Sequence, residues 1–581
     1  MRIRSKNNID RYFTGIMFRR QYFPALISAV VLSFGDVADN LVLGNRIGYI
    51  GLAALALTMP IVQVFNVIMN ALGIGGSVRF SSRMAQGRRE GALAGFQGTV
   101  LAAVIAGVVI GVLGNLLLTP LLRLLGTVPG DGELFEAARG YLRILLFGTP
   151  MLFLNYVLNY YLKTDDLEKQ ASAAFTVGNV VDILLNIVLV LILRMGVEGA
   201  ALATVAGQTI GAAISVVLIV RHKGALKFWK FKPNMRDAWK SFQMGFSSSV
   251  EFLYSMVFLL IANNLLIRSM GGAGAAILDV VLGVSYFMMN LYDASVKSSL
   301  PVISTYSGER NEAGMRHARN TGLLYTVLSG VVLGAVVCVF PEAICRFFGL
   351  DDPSMLEAGR TALRFYGISI PIAGVGVLLT NYYEARELQR QTLVRSTLRG
   401  VLPILFALLF TIVAPGSFWA VFIAGETLAL IAFSLLYKLD PPKGFDNKRV
   451  FRATILSTDD EISRTTEEIE AFCEQWDASP VQQYMAMMSL EEICVATMAN
   501  GFRGKEKGFI QIVLVALEDG GFELHIRDNA ASFNPLAMEM TGSLDDEGTN
   551  LDALGIAAIK KKAKSFSYRR FQGFNTVIIQ L

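Results

Sequence analysis

A few acidic side chains interrupt long apolar runs in this sequence, and a carboxylate surrounded by hydrocarbon has an evident chemistry: it takes up a proton or a cation. At mid-membrane such a group costs roughly 2.5–3.5 kcal/mol on insertion scales, so each one calls for an explanation. Asp36 and Asp39 are three apart and share a helix face, and Asn179, Asp182 and Asn186 follow at i, i+3 and i+7, again on one face. Glu251, Asp279 and Asp293 lie in later apolar runs. Desolvation raises a carboxyl pKa, so the group can load a proton near neutral pH. Protonation then removes the charge that would hold a cationic solute. Proton and solute compete for one site, and alternating access turns that competition into exchange. Asp36, Asp39, Asn179, Asp182, Asn186 and Glu251 are therefore the candidate ion-coupling and substrate-binding residues. The opposing reading is structural. Asn often acts as polar glue between helices, Asp36 has Asp39 or water as a neighbour, and Asp293 has Lys297 at i+4 to neutralise it.

The elements that position these residues are legible in the composition. Hydrophobic residues make up 53% of the 581-residue chain and charged residues 17%, where soluble domains run near 25% charged. The apolar residues fall into runs of about twenty, the length a helix needs to cross about 30 Å of hydrocarbon. Twelve runs centre near residues 32, 62, 106, 150, 182, 209, 254, 285, 329, 372, 403 and 427. Basic residues crowd alternate connections: Arg79 to Arg89, Arg221 to Lys232, Arg310 to Arg319 and Arg386 to Arg399. By the positive-inside rule these connections, and both termini, lie in the cytoplasm of a multi-pass cell-membrane protein. The basic segment Met1 to Arg20 precedes the first run without a small-residue cleavage site, which predicts an uncleaved first span. Intramembrane positions show no cluster of Arg or Lys.

Four cysteines with no CxxC pair and three histidines predict neither a disulfide framework nor a zinc or other metal centre. No catalytic residue and no nucleic-acid partner is expected. The missing Gly-x-x-x-x-Gly-Lys-Ser/Thr loop argues against ATP-driven pumping.

Sliding the chain against itself by about 221 residues pairs Gly51 with Gly272, Ala54 with Ala275, Gly87 with Gly308 and Ala92 with Ala313. The predicted fold class is an all-α polytopic membrane bundle of about twelve helices in two six-helix halves, residues 1–220 and 221–440, with the solute site between them. A turn-rich break follows at Lys438 to Gly444. Residues 448–581 then alternate short strand-like runs with amphipathic helices near Glu461 to Trp476 and Gln482 to Phe502, enough for one cytoplasmic α/β domain.

The bundle resembles the multidrug and toxic compound extrusion family of antiporters. The residues that carry the resemblance are Asp39-Asn40-Leu41-Val42-Leu43-Gly44-Asn45-Arg46-Ile47-Gly48, Leu52-Ala53-Ala54-Leu55, Gly73-Ile74-Gly75-Gly76, Gly196-Val197-Glu198-Gly199-Ala200-Ala201-Leu202-Ala203-Thr204, and Arg395 to Gly400. The resemblance covers roughly residues 15–438. It implies a V-shaped pair of halves that rocks between inward and outward openings and exports organic cations against H⁺ or Na⁺. It also implies ion coupling at Asp39 and an acidic residue at Glu251. In the fifth span Asn186 matches the family, while the expected Asp four residues later is Val190; Asp182, on the same face one turn earlier, is the expected substitute.

Residues 448–581 resemble the histidine-kinase-like ATPase domain of the anti-sigma-factor serine kinase type, which implies helices packed on a mixed sheet that clasps ATP and Mg²⁺. Glu492 matches the first motif, but the Mg²⁺-holding Asn is Ala496. Asp528 matches the adenine acceptor, with both following glycines replaced. Gly555 opens a helix after a lid-like loop, and Thr576 falls in the final strand; Asn500 completes the nucleotide-site set. Without the Mg²⁺ ligand an efficient kinase is not expected, since phosphoryl transfer rests on positioning and charge neutralisation. Nucleotide sensing and a regulatory domain that binds a cytoplasmic protein partner are the two readings. For the chain as a whole the leading expectation is secondary active export of organic cations or other small molecules across the lipid bilayer in exchange for H⁺ or Na⁺. The alternatives are a membrane-anchored sensor and a lipid-linked precursor flippase, the last opposed by the missing cationic cluster.

Overall fold

Without water in the bilayer core, a spanning segment must satisfy its own backbone N–H and C=O groups, so each long apolar run becomes a helix. The computed structural model describes residues 13–581 except 17, 21, 24, 28, 31–32, 34–37, 86–88, 165–167, 222–225, 229–231, 387, 414, 440, 442–444, 457–458, 503–507, 536–550 and 572–573. Among the described residues, eleven helices are long and apolar enough to cross a membrane. They coincide with the last eleven apolar runs. The run expected near residue 32 is helical at its described positions between 13 and 33 and in α1 (Ala38–Ile47), but part of it lies outside the described residues.

The first half continues with α2 (Tyr49–Ala85), α3 (Arg89–Leu116), the short α4 (Leu118–Leu125), α5 (Glu133–Thr164), α6 (Glu168–Asn186) and α7 (Gly196–Arg221). The second comprises α8 (Met235–Met270), α9 (Gly272–Gly308), α10 (Glu312–Val339), the short α11 (Pro341–Phe347), α12 (Pro353–Ala385), α13 (Gln389–Val413) and α14 (Val421–Leu439). The repeat extends to helix length. α2 and α9 each have 37 residues, α3 and α10 each have 28, and α5 and α12 have 32 and 33, with Pro150 and Pro371 at matching places inside them.

Each half has its own apolar core, yet the helix that opens each half lends its beginning to the other. Phe18 and Tyr22 belong to the second-half core, each ring centroid 4.8 Å from that of Tyr325. Leu43, near the far end of the same span, belongs to the first-half core. Phe242 near the start of α8 packs on the first-half core, while Ala262 and Leu266 further along belong to the second. The crossing of α2 and α8 is close enough that a Cβ on Gly75 would collide with the Ser241 carbonyl oxygen, and one on Gly245 with that of Ala71. Small residues let helix backbones approach, and close packing is what holds helices together in lipid.

The carboxy-terminal domain is a five-stranded sheet of order β1-β2-β3-β5-β4, formed by β1 (Val450–Leu456), β2 (Phe509–Ala516), β3 (Phe522–Asp528), β4 (Ser565–Phe571) and β5 (Phe574–Gln580). Every neighbouring pair is antiparallel, which corrects the expected mixed sheet. α15 (Asp459–Gln475), α16 (Pro480–Thr497) and α17 (Leu551–Lys562) supply the helices. Side chains alternate across a strand. Ile510, Ile512, Leu514, Leu524, Ile526 and Ile579 join the helices in one core, whereas Phe509 and Phe574 join Phe13, Tyr306 and Met315 of the transporter. The sheet is thus covered by its own helices on one face and by the end of the bundle on the other, and β2 is buried along its whole length.

Replacing Gly75 by Ala forces α2 and α8 apart. We expect the thermal midpoint of the detergent-solubilised protein to fall by the equivalent of about 1–3 kcal/mol, while Gly91→Ala, where a Cβ would meet nothing within 4 Å, leaves it unchanged.

Candidate transport site

In the first half α6 carries its polar face toward α7 and α5. Asn155 Nδ2 donates to Gln208 Oε1 at 2.7 Å, and Gln208 Nε2 lies 3.5 Å from Asn179 Oδ1. Asp182 backs onto Gly207, where a Cβ would come within 2.8 Å of the Asp182 Cβ. Asn186 is fully buried at the last residue of α6, where the helix widens into a π-helical turn, Ile187–Ile192. Such turns loosen the i→i−4 ladder and recur at functional sites. Asn179 and Asp182 thus face α7 together, with two residues that sequence reading missed, Asn155 and Gln208, while Asn186 lies further along α6. Asn155 is 1% exposed, and its Oδ1 has no hydrogen-bond partner among the described residues. A buried acceptor of this kind is costly unless something else fills it.

Other candidates lie elsewhere. Asp36 falls outside the described residues; Asp39 belongs to α1, and its side chain lies outside the description. Its neighbour Asn40 donates to Asp279 Oδ2 at 2.6 Å, both buried, tying the first span to α9 across the halves. Glu251 is exposed on α8.

The second half holds a group that the charge pattern misplaces. Arg395 and Arg399, assigned by that pattern to a cytoplasmic connection, are helical residues of α13 inside a candidate span. Arg399 Nε reaches both oxygens of Glu426 at 3.1 and 3.0 Å, and its Nη2 reaches Oε1 at 2.7 Å. Arg395, 1% exposed, donates from Nε to the Gly376 carbonyl at 3.1 Å and stacks 5.1 Å from the Phe433 centroid. A Cβ on Gly376 would lie within 3.3 Å of Arg395, Arg399 and Glu426 alike, so the three charges converge on its bare backbone. The expected absence of clustered Arg within the spans is therefore corrected. Glu426 does have a sequence signal, being a lone acid inside the run Val421 to Leu439.

The halves are tied at both ends. At the end next to the carboxy-terminal domain, hereafter the tail side, Arg83 Nη2 and Arg79 Nη2 reach Asp237 Oδ1 at 2.7 and 3.1 Å. Hydrogen bonding from Arg83 holds the Asp237 carboxyl below its usual range, against a smaller opposing effect of burial. At the opposite end Asn45 Nδ2 donates to the Phe347 carbonyl at 2.8 Å, and Asn264 Nδ2 to that of Leu124 at 3.0 Å.

A bundle of two matching halves, each with a buried polar group on the same three of its helices, has the architecture of a membrane transporter. Residues 24–188 and 244–409, more than half of the chain, match the family model MatE. The chain belongs to the MatE family, and it is a transporter and not an enzyme. It is 25% identical over 363 residues to the probable multidrug resistance protein NorM of Thermotoga maritima, covering 59% of this chain and 74% of that one. It is 22% identical over 398 residues to the multidrug export protein MepA of Staphylococcus haemolyticus, covering 67% and 85%. Among solved structures, an inward-facing multidrug resistance MATE family transporter of the MOP superfamily aligns with TM-score 0.63 at 20% identity, over 71% of this chain and 97% of that one. An outward-facing multidrug resistance MATE family transporter of the same superfamily aligns with 0.57 at 21%, over 73% and 95%. At these identities the structures support the fold.

In the carboxy-terminal domain Asp528 Oδ1 accepts from Asn575 Nδ2 at 2.7 Å and from the Ala530 amide at 2.8 Å. Glu492 packs against Gly555, whose missing side chain makes room for the carboxylate, and Asn500 Nδ2 donates back to Ala496 O at 3.0 Å. Thr576 pairs in register with Arg527 while Asp528 pairs with Asn575, so Thr576 and Asp528 sit on opposite faces of the sheet. The lid-like loop, 536–550, lies outside the described residues. Burial pushes the Asp528 carboxyl up to about 6, against hydrogen bonding from Asn575 and Ala530.

Two outcomes are expected. Arg399→Leu or Glu426→Leu alone leaves a buried unpaired charge and lowers thermal stability by about 3–5 kcal/mol, and the double change recovers most of the loss, as a double-mutant melting cycle would read. Because the folded-state pKa of Asp528 lies above its unfolded value, its ionised form destabilises the domain above about pH 6, and stability returns as pH falls from 6 toward 4. Asp528→Asn should therefore slow amide exchange in β3 at pH 7.5 and flatten its pH dependence in that window.

Proposed function

We propose that the protein is a secondary active exporter that moves small organic solutes, cations among them, in exchange for H⁺ or Na⁺. The observation that carries this reading is the polar group between α5, α6 and α7, in which half-buried Asp182 is the carboxylate on the face of α6 that carries Asn179 to Gln208 and Asn155. A carboxylate and carbonyl oxygens in low-dielectric surroundings suit a proton or a hard cation, and loading either one weakens the hold on a cationic solute. The names of the curated relatives, multidrug resistance and multidrug export proteins, support the same class of substrate. Asp39 remains the second coupling residue by its match to the family. The basic residues beside the tail-side ends of α2 and α10 support a cytoplasmic tail side with both termini inside.

We read the carboxy-terminal domain as regulatory. Asp528 already has two donors on one oxygen, and Ala496 offers no ligand to Mg²⁺, so the residues present do not fit a metal nucleotide and no phosphoryl step is assigned to them. A second reading, transport of a solute with an anionic head such as a lipid-linked precursor, draws support from Arg395. Its Nη1 and Nη2 are buried without a hydrogen-bond partner among the described residues.

The test is efflux from proteoliposomes under imposed H⁺ or Na⁺ gradients, with a fluorescent organic cation as probe. We expect gradient-dependent transport by the full chain and a drop of at least about tenfold in Asp39→Asn and in Asp182→Asn, with the yield of folded protein in detergent unchanged. Equal rates in both variants and the parent would remove these residues from coupling. Transport of an anionic amphiphile but no cation would shift the assignment to the second reading.

A further inference from the structure

On the tail side the two opening helices are held in different ways. The start of α8 is tied to the end of α2 by charges that the transporter itself supplies, Asp237 with Arg79 and Arg83. The start of the first span meets the end of α9 at the repeat-related place, and among the described residues the two helices meet there through aromatic and hydroxyl contacts. The Phe13 and Tyr306 rings lie 5.7 Å apart, edge to face, and Thr14 Oγ1 and Tyr306 Oη are 3.2 Å apart. Three residues beyond Tyr306, Glu309 is 1% exposed. Its cation comes from the carboxy-terminal domain: Arg527, 2% exposed, forms an ion pair with Glu309 Oε1.

The same guanidinium donates to Gln511 Oε1 at 2.9 Å and lies 4.1 Å from the Phe13 ring centroid and 6.0 Å from that of Tyr306. Phe574 of β5 closes the other edge of Phe13 at 5.0 Å. Arg452 of β1 fixes the turn after α9 by donating to the Arg310 carbonyl at 2.8 Å. Arg310 itself has φ +50°, a left-handed conformation that a side chain adopts at some cost and that neighbouring contacts must hold. A planar guanidinium suits this place because it pairs in its plane and stacks on its faces.

We propose that the carboxy-terminal domain is the missing half of a second inter-half latch. Arg527 supplies the cation that Glu309 requires, clamps the start of the first span onto α9, and holds the tail-side end of the transporter closed until the domain lets go. Opening that end by rocking the halves must separate Phe13 from Tyr306 or carry Phe13 away with them. While Arg527 is seated on Glu309, the first movement breaks its stacking on Phe13, and the second must carry the docked domain along or leave a buried carboxylate without its partner. The transport consequence rests on the exporter reading above, and the latch itself does not.

The test uses the full chain in lipid nanodiscs and proteoliposomes, in a Cys338→Ser background. Spin labels at exposed Val481 and Leu393 report docking of the domain, and labels at exposed Val220 and Leu393 report separation of the halves on the tail side. In Arg527→Ala we expect both distances to lengthen or broaden, the open fraction to rise about tenfold or more, and gradient-driven efflux of the cation probe to quicken. Exchanging the charges, Arg527→Glu with Glu309→Arg, should return both distances toward those of the parent. Arg527→Lys, which keeps the charge without the planar fork, should fall between, and serves if the alanine variant does not fold. Unchanged distances in folded Arg527→Ala would overturn the proposal, as would undocking of the domain with no change between Val220 and Leu393, or efflux that stops instead of quickening. Distances that respond as expected in a protein that moves no solute under any gradient would leave the latch standing and sink the exporter reading.

Discussion

Everything in the membrane part depends on the absence of water from hydrocarbon. Backbone groups must be satisfied within each segment, so the apolar runs can only be helices. Apolar side chains gain nothing by leaving lipid for one another, so the helices cohere through close approach at small residues and through buried polar pairs. The crossing at Gly75 and Gly245 is one expression of this, and the bond from Asn40 to Asp279 is another. The same constraint makes every buried charge conspicuous. Asp237, Glu426 and Glu309 each have an arginine within reach, and in the last case the arginine lies more than two hundred residues away in a separate domain.

The two halves share a backbone plan and differ in charge. The polar group of α5, α6 and α7 is amide-rich with one carboxylate; that of α12, α13 and α14 is two guanidiniums and one carboxylate around Gly376. A duplicated scaffold therefore offers one interior suited to cations and another with a surplus positive charge. The two readings of the substrate divide along that line.

Much of the bundle was legible because its signals are local. Runs of about twenty apolar residues, Pro150 and Pro371 at equal spacing, and the face shared by Asn179, Asp182 and Asn186 are all readable within one segment or by sliding the chain on itself. What escaped was set by pairing between distant segments. Arg399 finds Glu426 on the next helix, so a basic run that resembled a loop is partly the buried half of an ion pair. Asn155 and Gln208 are ordinary amides until helix packing places them together. In the carboxy-terminal domain the motifs name residues but not strand partners. The antiparallel register puts Thr576 on the transporter-facing side and Asp528 under the helices, a division that no spacing rule contains.

The exchange of opening helices between halves has a consequence for biogenesis. Phe18 and Tyr22 emerge from the ribosome roughly 300 residues before Tyr325, the ring they pack against. At about 5–20 residues per second, the first span waits on the order of 15–60 s in the bilayer with its aromatic face uncovered. Insertion and assembly are therefore separate events for this helix. The early membrane intermediate is a loosely held first half whose leading span must stay near the translocation machinery, or be shielded by lipid, until the second half is made.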